Sequence, residues 1–296
     1  MASSTTPAGL AAWIEGARPR TLPAAVAPVL AGSGAAAFAH SFIWWKALLC
    51  LGLALALQIG VNYANDYSDG IKGTDYDRVG PLRLVGSGAA SARAVKIAAF
   101  SWFGIGAAFG LALAATSTWW LVLVGVASIG AAWTYTGGSR PYGYRALGEV
   151  SVFVFFGLVA VLGTTYVQTG KFTWPALAAA IGIGALACAI LVANNLRDIP
   201  TDIEAGKHTL AVILGDKWSR LFYAQLIAVA IGCLVWTAVV ATPWALLGLI
   251  ALPVAARAIA AIAGGAAGMA LIPVLRDTGI AQLLYAFGLA AGLYLG

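Results

Sequence analysis

Hydrophobic residues run along this chain in stretches of about 20 residues, long enough for a helix to cross a hydrocarbon core of about 30 Å. Short polar segments separate the stretches. Nine of them can be distinguished, at about 21–39, 44–64, 94–115, 118–136, 147–167, 174–195, 218–241, 243–258 and 278–295. The pattern predicts an all-α integral membrane protein: one domain over residues 1–296, built as a bundle of about nine transmembrane helices.

The composition leads to the same fold class. Hydrophobic residues make up 61% of the chain and charged residues 9%, whereas a soluble domain has about 25% charged residues. The 36 glycines are typical of membrane helices that approach one another closely. The net charge of +6 indicates basic loops at a membrane surface rather than a nucleic-acid partner.

The charged residues are divided unequally between the two faces of this bundle. Of the 17 lysines and arginines, all but Lys46 and Lys171 fall on the face that holds the N-terminus. By the positive-inside rule this face is cytoplasmic and the C-terminus lies outside the cell. All 11 acidic residues fall on the same face, although acids contribute little to topology. We therefore expect a cytoplasmic-face active site in a multi-pass protein of the cell membrane.

A first polar cluster continues the second apolar segment. Asn62, Asn65, Asp66 and Asp69 stand at offsets 0, 3, 4 and 7, which places them on one face of a helix. Asp75 follows in the loop. Two carboxylates and two amides are thus expected to point the same way.

A second polar cluster ends the sixth apolar segment. Asn194, Asp198 and Asp202 recur at every fourth residue, and Asn195 lies beside the first. Pro200 removes a backbone donor, so the direction in which Asp202 faces is left open.

The two clusters are predicted to emerge on the same membrane face, because an even number of crossings separates them. Carboxylates brought together there repel one another unless a cation neutralises them. Oxygen ligands without His or Cys favour Mg²⁺, which commonly bridges protein carboxylates and substrate phosphates. A site for Mg²⁺ and a diphosphate is the resulting hypothesis.

At these residues the chain resembles the UbiA superfamily of membrane aromatic prenyltransferases. That superfamily carries an N-D-x-x-D motif, matched by residues 65–69, and a D-x-x-x-D motif, matched by residues 198–202. Residues 18–21, 80–88 and 135–142 are most similar to the branch that prenylates 1,4-dihydroxy-2-naphthoate in menaquinone synthesis. In one departure, Gly73 stands where many relatives have a further aspartate, and Asp75, two residues later, is the candidate for that metal role.

The resemblance implies transfer of a polyprenyl group from its diphosphate to 1,4-dihydroxy-2-naphthoate, with decarboxylation to demethylmenaquinone, in a cavity open to lipid. The carboxylates of Asp66, Asp69, Asp198 and Asp202 are expected to be catalytic through Mg²⁺. The full expected metal-binding set is Asn65, Asp66, Asp69, Asp75, Asp198 and Asp202. The expected diphosphate-binding residues are Lys72, Arg140 and Lys207. The candidates for binding the acceptor or shielding the carbocation are Asn62, Tyr63, Tyr67, Arg83, Tyr135, Tyr142, Asn194 and Asn195, with Arg20 and Tyr166 considered beside them.

Two alternatives stay open on the sequence. Another prenyltransferase of the superfamily, acting on 4-hydroxybenzoate, haem or a chlorophyllide, would share both aspartate clusters and differ in the acceptor pocket. A secondary transporter would place ionisable residues and broken helices near the bilayer midplane, where this chain is almost free of charge. The expected partners are therefore the two substrates and the lipid bilayer.

Overall fold

The computed structural model describes residues 9–73 and 82–296, and nearly all of its regular structure is helical. The only β-type pairing in that part of the chain is a single bridge between Arg145 and His208. The helices are α1 Leu10–Gly16, α2 Pro23–Phe38, α3 Trp44–Lys72, α4 Ala92–Ala115, α5 Leu121–Thr134, α6 Gly148–Thr169, α7 Trp174–Glu204, α8 Leu210–Val240, α9 Pro243–Ala263 and α10 Leu271–Leu295.

All nine apolar segments fold as helices, α2 to α10, but they differ in length. Within the described ranges, seven helices are individually long and apolar enough to span a membrane. The helices Leu10–Thr21 and Pro23–Phe38, bent by 46° relative to each other, add an eighth if the pair counts as one span. Helix α5 has only 14 residues and rises about 21 Å, less than a hydrocarbon core of about 30 Å. Length alone therefore supports seven or eight spans rather than nine.

The chain around α5 nevertheless connects the two ends of the bundle. At one end, Lys46 at the start of α3 donates a hydrogen bond to the hydroxyl of Ser117 at 3.1 Å. At the other end, the hydroxyl of Thr136 donates to Oδ1 of Asn65 at 2.8 Å. Residues 117–136 thus run from the start of α3 to its polar end, and flanking turns supply the length that α5 lacks.

Helix α7 lies at the centre of the packing. Its small residues are buried, among them Ala179, Ala180 and Ala185. A π-helical stretch in α6, Phe153–Val159, brings the backbone of Gly157 close to α7. A Cβ added at Gly157 would lie 2.7 Å from Cα of Gly184. The bundle closes because α10 packs against both α2 and α9.

Pro200 does not end α7. The helix continues through it to Glu204, and Asp202 is buried. A single missing backbone donor is tolerated so close to the helix end, and it leaves Asp202 on the helix that carries Asp198.

Candidate functional site

A large cavity of about 1160 Å³ lies in the middle of the bundle. Its polar end is lined by Asp69, Asp198, Asp202 and basic side chains, and its body is lined mainly by apolar residues of α2 to α6. Ligand pockets usually have volumes of about 300–1,000 Å³. The cavity is therefore large enough for a long apolar molecule with a polar head.

The cavity follows α3 over much of its length, from Asp69 to Cys50. At 1.5 Å per residue this corresponds to roughly 28 Å. One turn beyond Cys50, the buried Lys46 ammonium donates to the carbonyl oxygens of Thr116 at 3.0 Å and Val167 at 2.6 Å. These bonds tie α3 to the ends of α4 and α6 at the far end of the cavity, where Val167 lines its wall.

The two aspartate clusters meet at Lys207. Its Nζ lies 4.0 Å from Oδ1 of Asp69 and 4.0 Å from Oδ1 of Asp202. Gly206, at φ 67°, makes the left-handed turn that commonly ends a helix, a conformation that costs glycine little. The turn returns the Lys207 N–H to the carbonyl of Asp202 at 2.8 Å. Local backbone chemistry therefore places Lys207 beside the second cluster.

Asp66 serves a different purpose from Asp69. It is fully buried and does not line the cavity. Its Oδ2 accepts the backbone N–H of Leu84 at 2.7 Å, and its Oδ1 accepts that of Val85 at 3.0 Å. The carboxylate thus holds the segment that positions Arg83, whose Nη2 lies 3.4 Å from Oδ2 of Asp69.

Asp198 is held by an arginine from its own cluster. Arg197 donates from Nε to Oδ1 of Asp198 at 2.7 Å and from Nη2 to Oδ2 at 2.8 Å. The same Nη2 also donates to Oδ1 of Asn194 at 2.9 Å. Asn195 points instead toward Glu149 and donates to its Oε1 at 3.0 Å.

The two asparagines of the first cluster line the cavity while bonding to neighbouring helices. Nδ2 of Asn62 donates to the carbonyl of Ala17 at 2.9 Å and to Oγ1 of Thr21 at 3.0 Å. Oδ1 of Asn65 accepts from Thr136. Both asparagines thus hold neighbouring chain segments in place around the polar end of the cavity.

Tyr135 and Tyr142 lie on the cavity wall, as expected of residues facing an apolar substrate. Their rings meet edge to face at 5.5 Å. Burial raises the pKa of Tyr142 above its ordinary value. Phenols are neutral at physiological pH, since the ordinary pKa of tyrosine is about 10.

Four of the other predicted side chains do not line the cavity. Tyr63 donates to the carbonyl of Trp13 at 2.8 Å, and Tyr67 stacks on Trp133 at 5.9 Å. Lys72 donates to the carbonyl of Thr136 at 2.6 Å. Arg140 is exposed to solvent. Helical periodicity correctly predicted the side of α3 that faces the cavity. It did not predict which residues on that side line the cavity wall.

Two further expectations have different outcomes. Tyr166 packs between Trp120 and Phe172 and is absent from the cavity wall. Arg20 does line the cavity and is exposed near its mouth. Asp75 lies outside the described residues.

Two further side chains of the site, Tyr144 and Arg197, are not among the residues predicted from the sequence. Tyr144 lines the cavity, and its hydroxyl donates to Oδ1 of Asp69. By sequence, Arg197 contributes only to the charge difference between the two membrane faces. Its position inside the second cluster, three residues after Asn194, was the available signal for a site residue.

The polar end suits a hard divalent cation in its chemistry. Its ligands are oxygen atoms of carboxylates and amides, which Mg²⁺ prefers. The described residues contain no ready-made group of three or more acidic, His or Cys side chains around one point. The Lys207 ammonium, however, already places a positive charge between Asp69 and Asp202. These two carboxylates fit a shared cation best.

Known proteins resemble this chain in sequence over most of its length. The profile of the UbiA prenyltransferase family matches residues 25–265. A Mycobacterium tuberculosis protein named 1,4-dihydroxy-2-naphthoate octaprenyltransferase is 58% identical over 98% of this chain and 99% of its own length. The Escherichia coli protein of the same name is 42% identical over 75% of each chain.

Solved structures share the fold at low sequence identity. A UbiA homolog from Archaeoglobus fulgidus bound to DMAPP and Mg²⁺ superposes with a TM-score of 0.67 at 16% identity, covering 96% of this chain and 99% of that one. A UbiA homolog from Aeropyrum pernix gives a TM-score of 0.68 at 17% identity, covering 92% and 97%.

Proposed function

This chain belongs to the UbiA prenyltransferase family, and we propose that it transfers a polyprenyl group from polyprenyl diphosphate to 1,4-dihydroxy-2-naphthoate. The ring carboxylate is lost as CO₂, and the product is the reduced, hydroquinone form of demethylmenaquinone. The observation that carries the proposal is the 58% identity, over nearly the full length of both chains, to a protein named for this reaction. That name specifies an octaprenyl donor.

The shape and polarity of the cavity support a prenyl diphosphate as substrate. An apolar tail fits the body of the cavity along α3, where it is shielded from water. The anionic head fits the end that contains Arg83, Arg197 and Lys207. Arginine binds phosphate oxygens in bidentate fashion, and lysine contributes a compact charge.

Asp69 and Asp202 are the residues that would hold Mg²⁺ in this chain, with Asp198 nearby. When bound, the ion neutralises negative charge on the departing diphosphate. A solved relative contains Mg²⁺ together with a prenyl diphosphate. Lys207 and Arg197, now paired with carboxylates, would then contact diphosphate oxygens.

The overall reaction requires no net proton transfer. The allylic carbon–oxygen bond breaks and its electron pair remains on the diphosphate. A carbon–carbon bond forms between the ring and the prenyl group, and the bond between the ring and its carboxylate breaks with release of CO₂. The neutral phenols of Tyr135 and Tyr142 offer aromatic faces to the cationic carbon without supplying a base.

We also propose that the polar end faces the cytoplasm. All lysines and arginines except Lys46 and Lys171 lie on its side of the bundle by sequence, and such a bias sets orientation in membrane proteins. A cysteine introduced at Thr201 should react with an impermeant thiol reagent only when the cytoplasmic face is accessible. Labelling of intact cells from outside would contradict this orientation.

The reaction is tested with purified protein in detergent, octaprenyl diphosphate, Mg²⁺ and either 1,4-dihydroxy-2-naphthoate or 4-hydroxybenzoate. Product mass should show prenylation with loss of CO₂ from the naphthoate, and excess chelator should abolish it. Asp202→Asn should lose turnover. Asp216→Asn is the matched control, because Asp216 is an exposed aspartate paired with Arg220 away from the cavity. If 4-hydroxybenzoate is prenylated and 1,4-dihydroxy-2-naphthoate is not, the proposed acceptor is wrong.

A further inference from the structure

Tyr144 contacts chain segments from both aspartate clusters. Its hydroxyl donates to Oδ1 of Asp69. Its ring centroid lies 4.7 Å from Nζ of Lys207 and 5.0 Å from Nζ of Lys72. Its backbone carbonyl accepts the N–H of His208 at 3.0 Å. One residue of the α5–α6 connection therefore joins the end of α3 to the loop after α7.

The connection itself is fixed on both sides of Tyr144. The N–H of Gly143 donates to the carbonyl of Tyr135 at 3.0 Å. A Cβ at Gly143 would lie 2.7 Å from that carbonyl oxygen, so this close approach requires glycine. The Tyr142 hydroxyl lies 2.8 Å from both the Ala131 carbonyl and Oγ of Ser151. These contacts hold the turn that carries Tyr144 in one conformation.

We propose that Tyr144 is the positioning residue that couples the two aspartate clusters, an inference that rests on the proposed function. Its hydroxyl orients the Asp69 carboxylate toward Asp202. Its aromatic face holds the stem and ammonium of Lys207, first between the two carboxylates and then, once a divalent cation takes that place, against the diphosphate. Groups that orient a metal-binding carboxylate in this way typically contribute 10–100-fold to metal affinity.

The hydroxyl and the ring can be tested separately. Tyr144→Phe removes the hydrogen bond to Asp69 and keeps the ring beside Lys207, whereas Tyr144→Leu removes both. Tyr67→Phe is the control, because the Tyr67 ring stacks on Trp133 outside the cavity. Mn²⁺ replaces Mg²⁺ as a spectroscopic probe, and a prenyl thiolodiphosphate replaces the donor so that binding is measured without turnover.

With Mn²⁺ titrated into protein saturated with the thiolodiphosphate, electron paramagnetic resonance should show binding weakened about tenfold or more in Tyr144→Phe. Calorimetry at saturating Mg²⁺ should show analogue affinity nearly unchanged in Tyr144→Phe and reduced about threefold or more in Tyr144→Leu, in keeping with a cation–π contact. Tyr67→Phe should match the wild type in both measurements. Unchanged Mn²⁺ binding in Tyr144→Phe would overturn the role of the hydroxyl.

A double-mutant cycle tests the role of the ring even if Tyr144→Leu is partly destabilised. Because the ring acts through Lys207, analogue affinities of Tyr144→Leu, Lys207→Met and the double variant should be non-additive. Additive losses would overturn the coupling. Wild-type protein that binds the analogue in this manner but prenylates no acceptor would refute the proposed function and leave the role of Tyr144 standing.

Discussion

Asp66 and Asp69 stand three residues apart in the same motif, yet the structure predicts opposite consequences for their substitution. Asp66→Asn replaces one of two carboxylate oxygens, both bonded to the backbone N–H groups of Leu84 and Val85, with an NH₂ group. One buried N–H then loses its acceptor, and the other bond becomes neutral. Since an unsatisfied buried donor costs about 1–3 kcal/mol and a charged acceptor adds roughly 1 kcal/mol per bond, the expected loss of stability is about 2–4 kcal/mol.

Asp69→Asn is the matched comparison. Its Oδ1 can still accept from Tyr144, and its longer contact with Arg83, 3.4 Å, contributes less. We expect a smaller effect on stability and a larger effect on cation binding, because the substitution removes negative charge from the point that Lys207 now neutralises.

The two variants are compared by thermal unfolding in one detergent at one scan rate and by Mn²⁺ titration. At about 2–4 °C per kcal/mol, Asp66→Asn should lower Tm by roughly 5–15 °C, well beyond the change in Asp69→Asn. Cation affinity should fall more in Asp69→Asn. An Asp66→Asn variant with wild-type Tm that no longer binds cation would show that Asp66 is a metal ligand, as the sequence alone suggested, and would refute this reasoning.

Three further results are expected. Lys46→Met should lower Tm, because it removes a buried ammonium and leaves acceptors unpaired at a cost of about 2 kcal/mol or more, whereas the exposed Lys171→Met should not. Steady-state assays should find Arg140→Lys within about twofold of wild type, since Arg140 is exposed and outside the cavity. Arg197→Lys loses a two-point contact with Asp198, so its kcat/KM should fall about tenfold, roughly 1.4 kcal/mol. Equal kcat/KM values for Arg140→Lys and Arg197→Lys would contradict the placement of Arg197 in the site.

The sequence by itself determined the architecture, because burying apolar side chains in lipid requires only a long apolar run with internally bonded backbone. The nine apolar segments all fold as helices, and Asp69, Asp198 and Asp202 meet at one end of one cavity. The family motifs predicted the metal-dependent chemistry, since each motif is a short continuous segment of the chain.

Tertiary packing decided which predicted residue does what. Three residues along a helix turn the chain by about 300°, so Asp66 and Asp69 differ by roughly 60° in direction. Because of that difference, the Asp66 carboxylate bonds to the backbone of the 82–85 segment, whereas Asp69 lines the cavity. Tyr144 could not be selected from sequence, because its partners Asp69 and Lys207 lie far from it along the chain and meet it only through the bundle. The periodicity of a helix fixes a stripe of side chains, and only its neighbours in space determine what each edge of that stripe contacts.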